Sequence, residues 1–146
     1  METLQTLSIM ERILFLRKVP LFAELPPLDL KHIATIATER YHLDGAVICR
    51  QGEAGDMLYI IASGQVRVTS NGKELAMRHG GDSVGEMAII SQAPRMATLT
   101  AVGDVRLLCV GQKEFETVLR QRPEVSLAVM RVLSNRLAQQ AALLTS

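Results

Sequence analysis

The chain has almost no net charge: sixteen basic and fifteen acidic side chains leave a formal +1 over 146 residues. That balance lacks the strong positive field of a protein that lives on phosphate backbones, so direct nucleic-acid binding is not expected. Cysteine is equally scarce. Cys49 and Cys109 lie far apart, each among apolar neighbours, with no CxxC pair and no secretory apolar segment at the N-terminus. A reducing, cytoplasmic setting fits that usage, with both thiols acting as small buried hydrophobes. No apolar run approaches the roughly 20 residues that a membrane-spanning helix needs. His32, His42 and His79 are scattered without HxH or HxxxH spacing, so the ligand set of a metal-dependent barrel enzyme is missing. No nucleophile and base stand in a recognisable pair, and no repeat, low-complexity tract or Pro/Ser-rich linker divides the chain. The expectation is one non-enzymatic domain over residues 1–146, with no metal and no cofactor.

What is present reads as helices, then strands, then helices. Ser8 followed by Glu11, just before Ile13, Leu14, Phe15 and Leu16, is a capping-box start for a first helix that stops before Val19-Pro20. Pro27 suits the first turn of a second helix carrying Leu30, Ile33, Ile36 and Ala37. Residues 1–40 therefore form an N-terminal helical segment. From 41 to 110 the period changes to short runs of Val, Ile, Thr and Tyr, separated by Asp44-Gly45, a turn at 52–56, Ser63-Gly64, Asn71-Gly72 and a turn at 80–82. Asn71-Gly72 is the sharpest hairpin signal, because both residues tolerate the positive φ of a type I′ turn. About eight short strands predict a mainly β fold with flanking helices, an eight-stranded jelly-roll barrel. Within it Met57, Met77 and Met87 are expected to fill core gaps and Tyr59 to be a half-buried strand residue. Helical spacing returns over residues 111–146, first near Lys113 to Arg120 and then from Pro123, with Met130, Leu133, Leu137 and Leu144 on one side expected to pack on the barrel.

The segment that carries chemistry runs from 85 to 98. Gly85-Glu86 opens about one helical turn through Met87, Ala88, Ile89 and Ile90, whose first N–H groups have no partner within the helix and face outward as anion donors. Arg95 follows the turn-forming Ala93-Pro94, so its guanidinium can swing back towards those donors from an exposed loop. Together they suit a singly charged phosphate. An ionised Glu86 can only accept hydrogen bonds, so its presence beside an anion site calls for a ligand that also offers a hydroxyl, as a ribose phosphate does. Taken alone, a glutamate at a helix start is an ordinary partner of the helix dipole, and a lone Pro-Arg an ordinary solvated turn.

Jointly, Gly85, Glu86, Ala88, Pro94, Arg95, Ala97 and Thr98 resemble the phosphate-binding cassette of the cyclic nucleotide-binding domain family. The run Gly52, Gly55-Asp56, Tyr59-Ile60-Ile61, Gly64 and Val66 resembles that family's barrel hairpins. The resemblance implies that Glu86 accepts from the ribose 2′-hydroxyl, that Arg95 pairs with the cyclic phosphate, and that the amides of Ala88 and Met96 donate to it. Gly85, Met87, Pro94 and Ala97 complete the cassette. Val84 stands where the family commonly has an aromatic residue, and Met96 where it has a small or hydroxylated one; cGMP-selective members tend to carry Thr there, so the resemblance favours cAMP and leaves cGMP as the alternative. It also implies a hinge near Gln121 to Glu124 and a closing final helix. Arg136 lies 41 residues beyond Arg95, the offset at which channel-type members place an arginine that meets the purine, with Leu133 and Leu137 covering the base. A polar residue between two leucines equally suits a solvated helix face, and both readings of Arg136 stay open.

The implied function is a regulatory sensor that converts cyclic nucleotide occupancy into helix movement. The contrasting reading is the same fold serving, without ligand, as an interaction or dimerisation platform, through the terminal helices in the homodimeric case. A transcription factor of the catabolite activator type would need about seventy further residues bearing a helix-turn-helix. The effector, or partner protein, is not legible.

Overall fold

The computed structural model describes residues 6–85 and 94–145. Helix α1 (Ile9–Leu16) starts where its capping box requires: Ser8 Oγ accepts from the Glu11 amide, and the Glu11 carboxylate accepts from the Ser8 amide, each at 3.1 Å. Helix α2 (Pro27–Ile36) begins on the proline whose missing N–H is no loss in a first turn. The sheet follows at once, three residues earlier than the change of period suggests, with β1 (Thr38–His42), β2 (Val47–Cys49), β3 (Met57–Ser70), β4 (Lys73–His79), β5 (Ser83–Val84) and β6 (Thr98–Gly111). Helices α3 (Gln112–Gln121) and α4 (Pro123–Thr145) close the order. None of the described helices is long and apolar enough to cross a membrane.

The described residues form six strands where about eight short ones are expected, because β3 and β6 are each 14 residues long. Both bend: their antiparallel register shifts between Ile61 and Ser63 and again between Ser63 and Gln65. Counted by straight segments, the two long strands supply four, and the jelly-roll count is recovered. Ser63-Gly64 is therefore a bend inside β3 rather than a hairpin turn. Gly64 has φ +94°, and a Cβ there would strike the Asp104 carbonyl oxygen of β6, so the two strands approach closely at the bend. Asn71-Gly72 does turn the chain from β3 into β4, with φ of 52° and 78°.

The first half of β3 is buried on both faces, which is why it reads as an unbroken apolar run. Leu58 and Ile60, with Leu108 and Val110 of β6, pack on the helices against Phe22, Phe115 and Val125. Tyr59 and Ile61 point the other way, into the barrel with Val66, Val105 and Leu107. Tyr59 is 4% exposed, so it is a core residue rather than a half-buried one.

Helix α4 packs by a different stripe from the one its leucines suggest. Val125 and Val129 are buried and Leu133 packs beside them on the helical core, whereas Met130 is 57% and Leu137 66% exposed. Two apolar stripes compete on this helix, and the one through Val125 and Val129 joins the buried cluster that holds Phe115. Leu144's side chain lies outside the described set.

Candidate functional site

The anchor of the site is Arg95, held by its backbone before its side chain is considered. Its amide donates to the Glu53 carbonyl at 2.7 Å and its carbonyl accepts from Gly52 at 2.8 Å, while the Gln51 amide donates to Thr98 Oγ1 at 2.9 Å. Residues 51–53 thus dock alongside 95–98 and fix where the arginine leaves the chain.

Its side chain is not on an exposed loop: Arg95 is only 5% exposed. Nη2 donates to the Met57 carbonyl at 2.6 Å and Nη1 to the Gly85 carbonyl at 3.4 Å, and the guanidinium carbon stands 5.1 Å from the centroid of the Tyr59 ring. Two carbonyl dipoles and a π face offset part of the desolvation of a planar, weakly hydrated cation. They do not neutralise it. Among the described residues no carboxylate pairs with Arg95, and its Nε is buried with no hydrogen-bond partner. A buried guanidinium bound to neutral groups, with a donor unfilled, is a site for an anion.

Gly85 makes room for it. Its φ is +93°, and a Cβ there would strike Arg95 Nη1 and lie 3.0 Å from the Met57 carbonyl oxygen. The glycine is required by the closeness of the arginine as much as by the backbone angle.

Beside these groups lies a cavity of about 150 Å³. Its apolar walls come from Cys49, Val68, Val84 and Leu99, and Gly85, Met96 and Ala97 form its rim. Three arginines reach it: Arg95, Arg78 from β4 and Arg136 from α4. Arg136 is half-buried and donates to the Ser83 carbonyl at 2.6 Å, which ties the final helix to the strand that leads into the cassette. It is therefore no solvated surface residue. Met96 is 65% exposed, and its carbonyl accepts from Ser70 Oγ at 3.1 Å.

Burial sets the protonation of the interior groups. It raises the Cys49 thiol above its ordinary value, with Arg95 partly opposing, and it raises Tyr59 in the same way. Cys109, deeper in the same core, is pushed up to about 11 by burial. Both thiols are neutral near pH 7 and present apolar surface. Among the described residues no three His, Cys, Asp or Glu side chains gather to hold a metal ion.

Of the residues expected from sequence, Gly85, Arg95, Met96, Ala97 and Arg136 come together at one cavity. Pro94 is exposed and does not line it. Leu133 does not cover the cavity; it packs on the helical core, because the buried stripe of α4 turns it that way. Glu86, Met87 and Ala88 lie outside the described residues. Sequence reasoning missed Arg78, Tyr59 and Cys49. No local signal marks Arg78: counted back from the Asn71-Gly72 turn, Val66 would face Met77, and only the register shift between Val68 and Thr69 brings Arg78 opposite Val66.

Comparison with known proteins adds an independent line. The family model described as "Cyclic nucleotide-binding domain" matches residues 39–122. The chain is 36% identical over 110 residues to a cAMP-dependent protein kinase regulatory subunit of Blastocladiella emersonii, covering 72% of this chain and 27% of that protein. It is 40% identical over 109 residues to a cyclic nucleotide-gated potassium channel of Mesorhizobium japonicum, covering 74% and 30% respectively. It thus spans about a third or less of the length of these relatives. Among solved structures, the Thermus thermophilus catabolite activator protein superposes with a TM-score of 0.78 at 30% identity, covering 86% of this chain and 62% of that one. The regulatory domain of Toxoplasma gondii PKA with cAMP superposes with a TM-score of 0.77 at 26% identity, covering 86% and 50%.

Proposed function

Because this chain belongs to the cyclic nucleotide-binding domain family, we propose that it is a non-catalytic sensor whose ligand is cAMP in preference to cGMP. The observation that carries this reading is the buried Arg95 guanidinium, held by two carbonyls and the Tyr59 ring with Nε unfilled beside the cavity. A cyclic phosphate brings the single negative charge that this environment lacks among the described residues. The adenine preference is supported by Met96, which has no hydroxyl to offer a guanine edge. Glu86 acts in this reading as the ribose acceptor and the amides of Ala88 and Met96 as the phosphate donors, with Met87 completing the cassette, and Arg136 closes the site from α4.

Occupancy becomes movement through the break between α3 and α4. Arg122, with φ −129° and ψ 89°, separates the two helices, and Pro123 starts the second. A ligand shifts such an equilibrium only by binding one arrangement better than the other, and Arg136 on α4 supplies that differential contact. The whole chain works as one unit in the cytoplasm, without direct nucleic-acid contact, and delivers its signal to an effector on a partner or an adjoining domain. A homodimer through the terminal helices is part of the proposal, on account of the exposed Leu127, Met130 and Leu137 of α4.

Isothermal calorimetry with cAMP tests the reading. The unaltered chain is expected to bind, and Arg95→Ala to lose about a hundredfold in affinity, roughly 3 kcal/mol. Thermal melting accompanies the titration, because Arg95 is buried and its removal disturbs packing. Equal dissociation constants for a folded Arg95→Ala and the unaltered chain would overturn the phosphate assignment, and no binding by the unaltered chain would favour the ligand-free platform.

A further inference from the structure

Arg95 is placed through its backbone by residues 52 and 53, and those two need an anchor of their own. The strand before them is a weak hold. β2 has only three residues, and its pairing with β6 shifts register between Val47 and Cys49. Gly52 follows at φ +90°, and the Glu53 amide donates to the Arg50 carbonyl at 3.1 Å to close a local turn. Residues 50–54 are all exposed, so no buried side chain of the turn fixes it.

The second anchor is Gln51. Its amide donates to Thr98 Oγ1 at 2.9 Å, and its side chain reaches the turn between β3 and β4. There Nε2 donates to Asn71 Oδ1 at 3.1 Å, and Oε1 accepts from the Asn71 amide at 3.0 Å. Ser70 Oγ, at the end of β3, donates to the Met96 carbonyl at 3.1 Å. The tip of this hairpin is thus bonded to both segments that meet at Arg95, to residue 51 on one side and to residue 96 on the other.

The residue types agree with that arrangement. Both positions of Asn71-Gly72 have positive φ, and glycine would meet that need at the first one without the strain a side chain brings. Asparagine there adds an oxygen, and that oxygen is what Gln51 Nε2 meets. Both side chains are exposed, where a net hydrogen bond adds little to the stability of a fold. What the pair does is join two turns 20 residues apart into one piece, which leaves Arg95 a single direction of exit.

We infer that Gln51 and Asn71 are positioning residues for the anion site. Their two hydrogen bonds hold the turn at 51–53, and through its backbone bonds to Arg95 they keep the guanidinium beside the Tyr59 ring, where the phosphate meets it. Neither residue lines the cavity, so they act through Arg95 and not on the ligand. The inference rests on the cyclic nucleotide reading and adds to it a pair outside the cavity that sets affinity.

The test is calorimetry of the full chain with cAMP and with adenosine, which keeps base and ribose but has no phosphate. Gln51→Met keeps the length of the side chain without its polar atoms, and Asn71→Gly keeps the turn without Oδ1. Each is expected to weaken cAMP about threefold to tenfold, the scale of one or two net hydrogen bonds, and to leave adenosine within about twofold. In an Arg95→Ala background Gln51→Met is expected to cost cAMP less than about twofold, because the group it positions is gone. That second comparison decides if adenosine binds too weakly to titrate, and melting curves confirm that each variant is folded. An unchanged cAMP affinity in Gln51→Met, equal losses for cAMP and adenosine, or the same loss with and without Arg95 would overturn the positioning role alone. Failure of the unaltered chain to bind cAMP would overturn the parent reading and this one with it.

Discussion

Gly85 and Arg95 hold each other in place. The glycine's φ of +93° lets its carbonyl face the guanidinium, and the guanidinium fills the space that a Cβ would need. Gly85→Ala therefore combines backbone strain of about 1–2 kcal/mol with displacement of the charged group. Affinity for cAMP is expected to fall about tenfold or more, with a lowered melting temperature, read by calorimetry and thermal unfolding. A folded alanine variant with unchanged affinity would mean that the arginine is not locked by its glycine neighbour. Tyr59 serves the same end from below: it is buried 5.1 Å beneath the guanidinium and has no exposed edge for a ligand. Its role is to fix the arginine's plane.

Helix α4 is tied to the rest of the molecule at three heights. Arg122, at the break after α3, pairs with Asp29 of α2 at 2.8 Å; Arg131 pairs with Glu24 at 3.0 Å; Arg136 reaches the Ser83 carbonyl at 2.6 Å. The middle pair is the weakest, since both side chains are more than 60% exposed and such pairs contribute about 0–1 kcal/mol. Arg136 is the tie nearest the cavity. A contact made after the ligand has docked acts mainly on release, so Arg136→Ala is expected to speed dissociation of a fluorescent cAMP analogue about fivefold and to leave association little changed. Stopped-flow measurement decides it, and an unaltered off-rate would remove the lid role from this residue. Leu133 is no substitute, because it packs on the helical core.

At the scale of the whole molecule two cores share the two long strands, one between sheet and helices and one inside the barrel. That arrangement leaves the outer face of α4 uncovered. Leu127, Met130 and Leu137 there follow 3- and 7-residue spacings, the a and d positions of a short helical seam. The expected outcome of sedimentation at tens of micromolar is a dimer that Leu137→Glu dissociates. An unaltered chain that sediments as a monomer under these conditions would remove the homodimer from the proposed function. Of the stripe expected to pack, Met130 and Leu137 face outward, whereas Leu133 packs on the helical core.

The sequence by itself determined what depends on neighbours a few residues apart. The capping box of Ser8 and Glu11, the proline starts at 27 and 123, and the Asn71-Gly72 turn are local steric and hydrogen-bonding events, and each appears where it was expected. The Gly-Glu to Pro-Arg spacing likewise pointed to one site, and Gly85, Arg95 and Arg136 do meet at one cavity. Only the tertiary structure decided that Arg95 is buried on Tyr59, 36 residues away in the chain, that Ser63-Gly64 is a bend against Asp104, and that Arg78 points inward. Periodicity tells which side chains share a face. What that face meets depends on where bulges shift the register of β3 against β6 and on which of two apolar stripes joins the cluster that holds Phe115, and those are properties of contacts between distant segments.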